Sequence, residues 1–204
     1  MSQIALPLVP PGSQPRRIVV GDANAAAINS FAHAATWPFR TAILFGPPRA
    51  GKSLLAQWFA QTGYGEAVDD ADRMDETELF HRWNRAQQDG HPLLLTALAT
   101  PGGWKISLPD LASRLGAALR LEIGAPGDAM IAELIAAHAE ARALALGEDG
   151  ARYLASRAER SHVGVERLVA AVDRISLERK AAPGPAIWRE ALEELTGLEQ
   201  PRLL

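Results

Sequence analysis

Short, wholly apolar runs alternate with stretches of helical spacing over the first two thirds of the chain. TAILF (Thr41–Phe45) reads as a buried strand and KSLLAQWFAQ as the helix that follows it. EAVDDAD places a short strand ahead of an acidic cluster. In ETELFHRWNRAQQDG, Leu79, Phe80 and Trp83 fall at helical spacing, and the helix stops at Gly90. HPLLLTALA is a second buried strand, SLPDLASRLGAAL a short helix and LRLEI a further strand. Upstream, DANAAAINSFAHAATW predicts a helix with Asp22 or Asn24 as its N-cap. Strand and helix alternate, so the expected fold is α/β, a parallel sheet with helices on both faces.

At Gly124–Asp128 the texture changes. Helical spacing runs over 129–146, through GEDGARYLASRAE, and over Val165–Lys180, where Val165, Leu168, Val169, Val172 and Ile175 share one stripe. APGPA breaks the chain before a last helix around Ile187–Leu195. This predicts an extended, Pro-rich tail over 1–20, an α/β core over 21–126 and a small all-helical domain over 127–204.

Between the first strand and its helix lies Gly46-x-x-x-x-Gly51-Lys52-Ser53, a complete phosphate-loop signature. Successive backbone N–H groups of such a loop wrap phosphate oxygens, and glycine serves where the chain turns tightly or approaches the anion. The helix that follows aims its positive end at the same charge. The nucleotide-binding set is therefore Gly46, Pro47, Pro48, Arg49, Ala50, Gly51, Lys52, Ser53 and Leu54. Lys52 is expected on the β/γ-phosphates and the Ser53 hydroxyl on Mg²⁺. In the acidic cluster, Asp69 fits the strand-end carboxylate that holds Mg²⁺, and Asp70 the acid that polarises the attacking water. Asp72 reads as a solvated turn residue.

Composition acts by exclusion. With no cysteine among 204 residues there is no disulfide, thiolate metal site or Cys nucleophile. Net charge is −3, with acids and bases interspersed, which argues against nucleic acid as the main direct partner. No apolar run approaches the length of a membrane span, and the N-terminus makes a poor signal peptide, so a cytoplasmic protein is expected.

The phosphate loop, VDDAD, ELFHRWNRA, LLLTA and SLPDLASRL follow one another in an order that resembles the AAA+ module of the bacterial replication initiator DnaA and, more specifically, the shortened Hda family. LPDLASRL and the C-terminal LVAAVDRISLERK carry the Hda likeness. The resemblance spans nearly the whole chain. It implies an AAA+ core with a helical lid, bound ADP or ATP with Mg²⁺, and a role in restraining replication initiation by stimulating ATP hydrolysis on DnaA. It also gives further residues a meaning. Thr96, at the end of LLLTA, stands where a polar sensor faces the γ-phosphate, although Ala97 and Leu98 beside it are apolar. Arg160 or Arg167 is a candidate for the lid arginine that reaches nucleotide. Arg114 matches an arginine finger acting in trans, the alternative being an ion pair with Asp110 or Glu122. QIALPL at the N-terminus resembles the sliding-clamp-binding consensus, with Gln3 setting register and Ile4, Leu6, Pro7 and Leu8 filling an apolar pocket.

Two departures from the AAA+ pattern matter. Only sixteen residues separate Lys52 from Asp69, and a usual AAA+ chain carries an extra strand and helix there. A reduced sheet of four parallel strands is expected. No helix-turn-helix segment follows the lid in this sequence, which turns the expectation away from the initiator role itself. A self-contained ATPase acting as loader or remodelling factor, and a degenerate phosphate-loop scaffold that binds the clamp alone, both stay open, as does a homodimer.

Overall fold

The computed structural model describes residues 17–98 and 103–199, the side chains of residues 198 and 199 excepted. Gln3, Ile4, Leu6, Pro7 and Leu8, the expected clamp-binding residues, lie outside the described residues.

Four parallel strands form one sheet in the order β2-β3-β1-β4, the reduced sheet expected from the short segment after the phosphate loop. The central strands β1 (Thr41–Phe45) and β3 (Leu93–Ala97) are buried along their whole length, which is why both are apolar without alternation. The edge strands β2 (Glu66–Val68) and β4 (Leu119–Glu122) are short and carry exposed charges at Glu66, Arg120 and Glu122, a usual protection against edge pairing.

Period-two geometry sends alternate residues of the central strands to opposite layers. Ile43, Phe45, Leu93 and Leu95 pack against Leu79 and Trp83 of α3 (Glu76–Asp89) and Leu111 and Leu115 of α4 (Pro109–Gly116). Ala42, Leu44 and Leu94 are fully buried on the other face. There α2 (Lys52–Gln61) runs along β2 and β3. Its Phe59 meets Phe31 of α1 (Ala25–Phe31) edge-on at 5.2 Å and stacks on Trp37 at 5.5 Å. The predicted N-terminal helix is thus shorter than its sequence pattern: α1 ends at Phe31 and a 3-10 turn follows at Ala34–Thr36. Asn24 occupies the N-cap position, but its carboxamide oxygen accepts from the Gly21 amide, not from the helix.

Just before β1, Phe39 (φ 48°, ψ 29°) and Arg40 (φ 46°) both adopt left-handed backbone. For residues with a Cβ this costs on the order of 1 kcal/mol or more each.

Val20–Pro126 forms one compact unit, and the residues from Gly127 onward another, to which residues 17–19 also belong. The second unit consists of α5 (Asp128–Ala141), α6 (Glu148–Ala155), α7 (His162–Arg179) and α8 (Pro185–Glu199). The Val165–Ile175 stripe packs with Ile131, Ile135, Leu154 and Ile187 into its own core. α5 stops short of residue 146 because Ala143 turns left-handed (φ 52°). Gly150 lets α8 approach α6, since a Cβ there would stand 2.6 Å from Trp188 Cζ2.

Candidate nucleotide site

The phosphate loop leaves the sheet at the C-terminal end of β1 and closes on the first turn of α2. Gly46 has no room for a side chain, because a Cβ would lie 3.0 Å from Ile123 Cβ and 3.2 Å from its carbonyl oxygen. Arg49 (φ 65°) and Gly51 (φ 85°) supply the left-handed turns that curl the loop. Pro47 and Pro48 have no N–H to give. The amides of Gly51, Lys52, Ser53 and Leu54 are those that the first turn of a helix leaves without an intrahelical acceptor, and the Ser53 side chain is exposed. A ring of amides at the positive end of a ten-residue helix fits a polyphosphate.

Lys52 is buried, and its Nζ donates to the carbonyls of Gly46 at 2.8 Å and Pro47 at 3.0 Å. Two of its three N–H bonds thus pin it under the loop, leaving the third for a ligand oxygen. Burial lowers its pKa below the ordinary lysine value, and the charges of Asp70, Asp72 and Asp69 oppose that shift. The electrostatics bring all three acids of the cluster to the lysine, although Asp69 and Asp70 are exposed.

Thr96 is fully buried, and its hydroxyl is used both ways. It donates to Asp69 Oδ1 at 2.5 Å and accepts the Asp70 amide at 2.9 Å. Asp70 itself sits in left-handed backbone (φ 47°), with an exposed ion pair to Arg73 at 3.7 Å. Asp69 keeps its second carboxylate oxygen for a cation, and Ser53 and Asp69 would hold Mg²⁺. Asp72 is less solvated than the sequence suggests, since its Oδ2 accepts the Leu98 amide at 2.9 Å, joining the acidic turn to the exit of β3. Ala97 is buried in the α3–α4 layer. Leu98 borders an apolar cavity of about 340 Å³ with Phe45, Gly46, Pro47, Arg120, Leu121 and Glu122.

Arg114 makes neither of the ion pairs that were the alternative to a finger, with Asp110 or with Glu122. Its Nη1 donates to Asn84 Oδ1 at 2.6 Å, and the guanidinium lies over the rings of Trp83 (4.4 Å) and Phe80 (4.9 Å), all on α3. It occupies the last turn of α4, and the chain then enters β4 at Leu119, opposite Ala42. Arg114 therefore belongs to the α3–α4 layer on one face of the sheet, whereas the phosphate loop leaves the end of β1 and continues into α2. Of the lid candidates, Arg160 pairs with Asp128 at 2.8 Å, and exposed Arg167 borders a groove of about 400 Å³ with Arg157, Glu159 and Leu168.

No protein-family model matches this sequence, and no curated protein matches it. The fold, however, is shared with solved AAA+ structures. Domain III of the Thermotoga maritima replication initiation protein DnaA superposes with a TM-score of 0.72 at 15% identity, covering 92% of this chain and 97% of that one. The Thermotoga maritima RuvB Holliday junction branch migration motor gives 0.62 at 21% identity, over 89% and 74%. The replication initiator DnaA bound to AMPPCP and single-stranded DNA gives 0.60 at 16%, over 85% and 69%. The chain has an AAA+ fold. In sequence order, β1, β2, β3 and β4 carry the phosphate loop, the acidic turn, Thr96 and the segment after the arginine. Among the described residues no helix is long and apolar enough to cross a membrane.

Proposed function

We propose that this chain binds ADP or ATP with Mg²⁺ in its phosphate loop and acts chiefly on the nucleotide of a partner, stimulating ATP hydrolysis by DnaA while its Gln3–Leu8 tail holds the sliding clamp. The observation that carries the reading is the placement of Arg114. A half-exposed cation in the α3–α4 layer, bound to none of the phosphate-loop residues, is available to whatever packs against α3 and α4. An arginine supplied to another subunit's transferring phosphoryl is worth about 10³–10⁵ in rate. The chain's own machinery is modest by comparison. Thr96 orients Asp69, Asp70 is paired with Arg73, and the neighbours Ala97 and Leu98 offer no hydrogen bond from their side chains.

The test is conversion of radiolabelled ATP on DnaA, with clamp and DNA present. Wild type accelerates it, and Arg114→Ala abolishes the acceleration while leaving clamp binding and ADP affinity intact. Full stimulation by the variant ends the finger assignment. The Lys52–Asp69–Thr96 set favours one second reading, a self-contained ATPase, and brisk turnover by the isolated wild type selects it.

A further inference from the structure

Phe39 is the most conspicuous surface residue of the α/β unit. Its side chain is 56% exposed, the only aromatic among the exposed large hydrophobics of the described residues. It also stands in left-handed backbone followed by a second left-handed residue, Arg40, in a turn that glycine or asparagine would form without strain. The turn is nevertheless held rigidly. The Phe39 carbonyl accepts from Gln87 Nε2 at 2.7 Å and from Thr41 Oγ1 at 2.9 Å, and Arg40 Nη1 donates to the Gly90 carbonyl at 3.1 Å. Three side-chain hydrogen bonds therefore fix an exposed apolar ring in a backbone that disfavours it. Strain maintained by its surroundings points to a use for the strained residue.

The ring is continuous with Arg114. Phe39 lies 6.3 Å from Trp83, the Arg114 guanidinium covers Trp83 and Phe80, and Asn84 holds its Nη1. Phe39, Trp83, Arg114 and Phe80 form one array running from the turn before β1 across α3 to α4. Aromatic residues with an ordered arginine are the composition of interface anchors. With one N–H engaged by Asn84, the guanidinium keeps four donors for an anion, already oriented by stacking, which lowers the entropic cost of engaging a phosphate.

Resting on the reading that Arg114 serves a partner's nucleotide, we infer that this array is the docking surface for the phosphate-bearing face of a P-loop ATPase subunit, with Phe39 as the apolar anchor that sets affinity and Arg114 as the group that acts on the phosphate. The charge of the occupant follows from Arg114, since an anion is the group that a stacked guanidinium with one of its five donors engaged recruits.

The two roles separate in one experiment. DnaA–ATP hydrolysis is titrated with wild type, Phe39→Ala, Phe39→Gly, Phe39→Trp and Arg114→Ala. The Ala and Gly variants should raise the half-saturating concentration at least tenfold and keep the saturated rate within about twofold. Phe39→Trp should restore affinity. Phe39→Gly relieves the backbone, so its melting temperature should equal or exceed that of wild type, which separates a docking loss from a folding defect. Arg114→Ala should lose the saturated rate. Unchanged half-saturation in Phe39→Ala and Phe39→Gly overturns this inference and leaves the finger reading standing. Full stimulation by Arg114→Ala removes that reading and this one together. Loss of self-association in Phe39→Ala by sedimentation, with partner affinity unchanged, assigns the surface to a second copy of the chain and also overturns it.

Discussion

Lys52 shows how a single charge is made both costly and useful. Buried beneath its loop and bonded to two carbonyls, it is charged where water is scarce, and burial lowers its pKa. Between its folded pKa and the ordinary value of 10.5 the unfolded chain binds more protons, so stability rises with pH across that window. Below it the buried charge is a constant penalty. Lys52→Met, which keeps the stem and removes the charge, should raise the melting temperature of nucleotide-free protein at pH 7. The same variant should lose the stabilisation by nucleotide, roughly 2.7 kcal/mol at a ligand concentration of about 100 times Kd. Thermal melts with and without ADP measure both effects. A lower melting temperature for the free variant would mean that the two carbonyl bonds outweigh the burial of charge.

At the scale of elements, the weak point is β2, a three-residue edge strand that carries the acidic turn. It is held at both ends. Gly65 meets Pro92 so closely that a Cβ would stand 2.2 Å from the Pro92 carbonyl oxygen, which also accepts the Glu66 amide at 2.8 Å. At the other end Thr96 bridges Asp69 and the Asp70 amide. Thr96→Val preserves shape and removes the hydroxyl, leaving a donor and an acceptor of the turn unpaired. It should cost about 1–3 kcal/mol by urea denaturation, and Mg²⁺-dependent nucleotide binding should weaken with it. Thr96→Ser retains the hydroxyl and should keep both bonds and most of the stability. Equal losses in the two variants would assign Thr96 to packing alone.

At the scale of the molecule the chain divides into two compact units, and the helical one has a core of its own. The helical unit buries Ile131, Ile135, Leu154, Val165, Val169, Val172 and Ile187 among its own helices. A separate core of this kind predicts independent folding. Residues 127–204 expressed alone should give a helical circular-dichroism spectrum and a cooperative melt. A non-cooperative melt would show that this unit depends on the remainder of the chain.

Much of the architecture was legible because it rests on local rules. Continuous apolar runs marked β1 and β3, helical spacing marked α3 and α7, and the sixteen residues after Lys52 left no room for a fifth strand. The Gly-rich loop between strand and helix was equally plain, since its chemistry is written in consecutive backbone. Contacts between distant segments were not legible. Nothing local tells that the Thr96 hydroxyl goes to Asp69, or that Asp72 accepts from Leu98. The partners of Arg114 lie thirty residues upstream on another helix, so the sequence offered only nearby acids as the alternative to a finger in trans, whereas α3 presents a ring face and an amide oxygen. The Phe39–Arg40 turn carried no glycine to betray its positive φ. By itself the sequence determined the elements, their order and the phosphate loop, because hydrophobic periodicity and backbone sterics act over a few residues. Only the tertiary structure decided which side chains meet, because long-range packing selects partners that no spacing along the chain encodes.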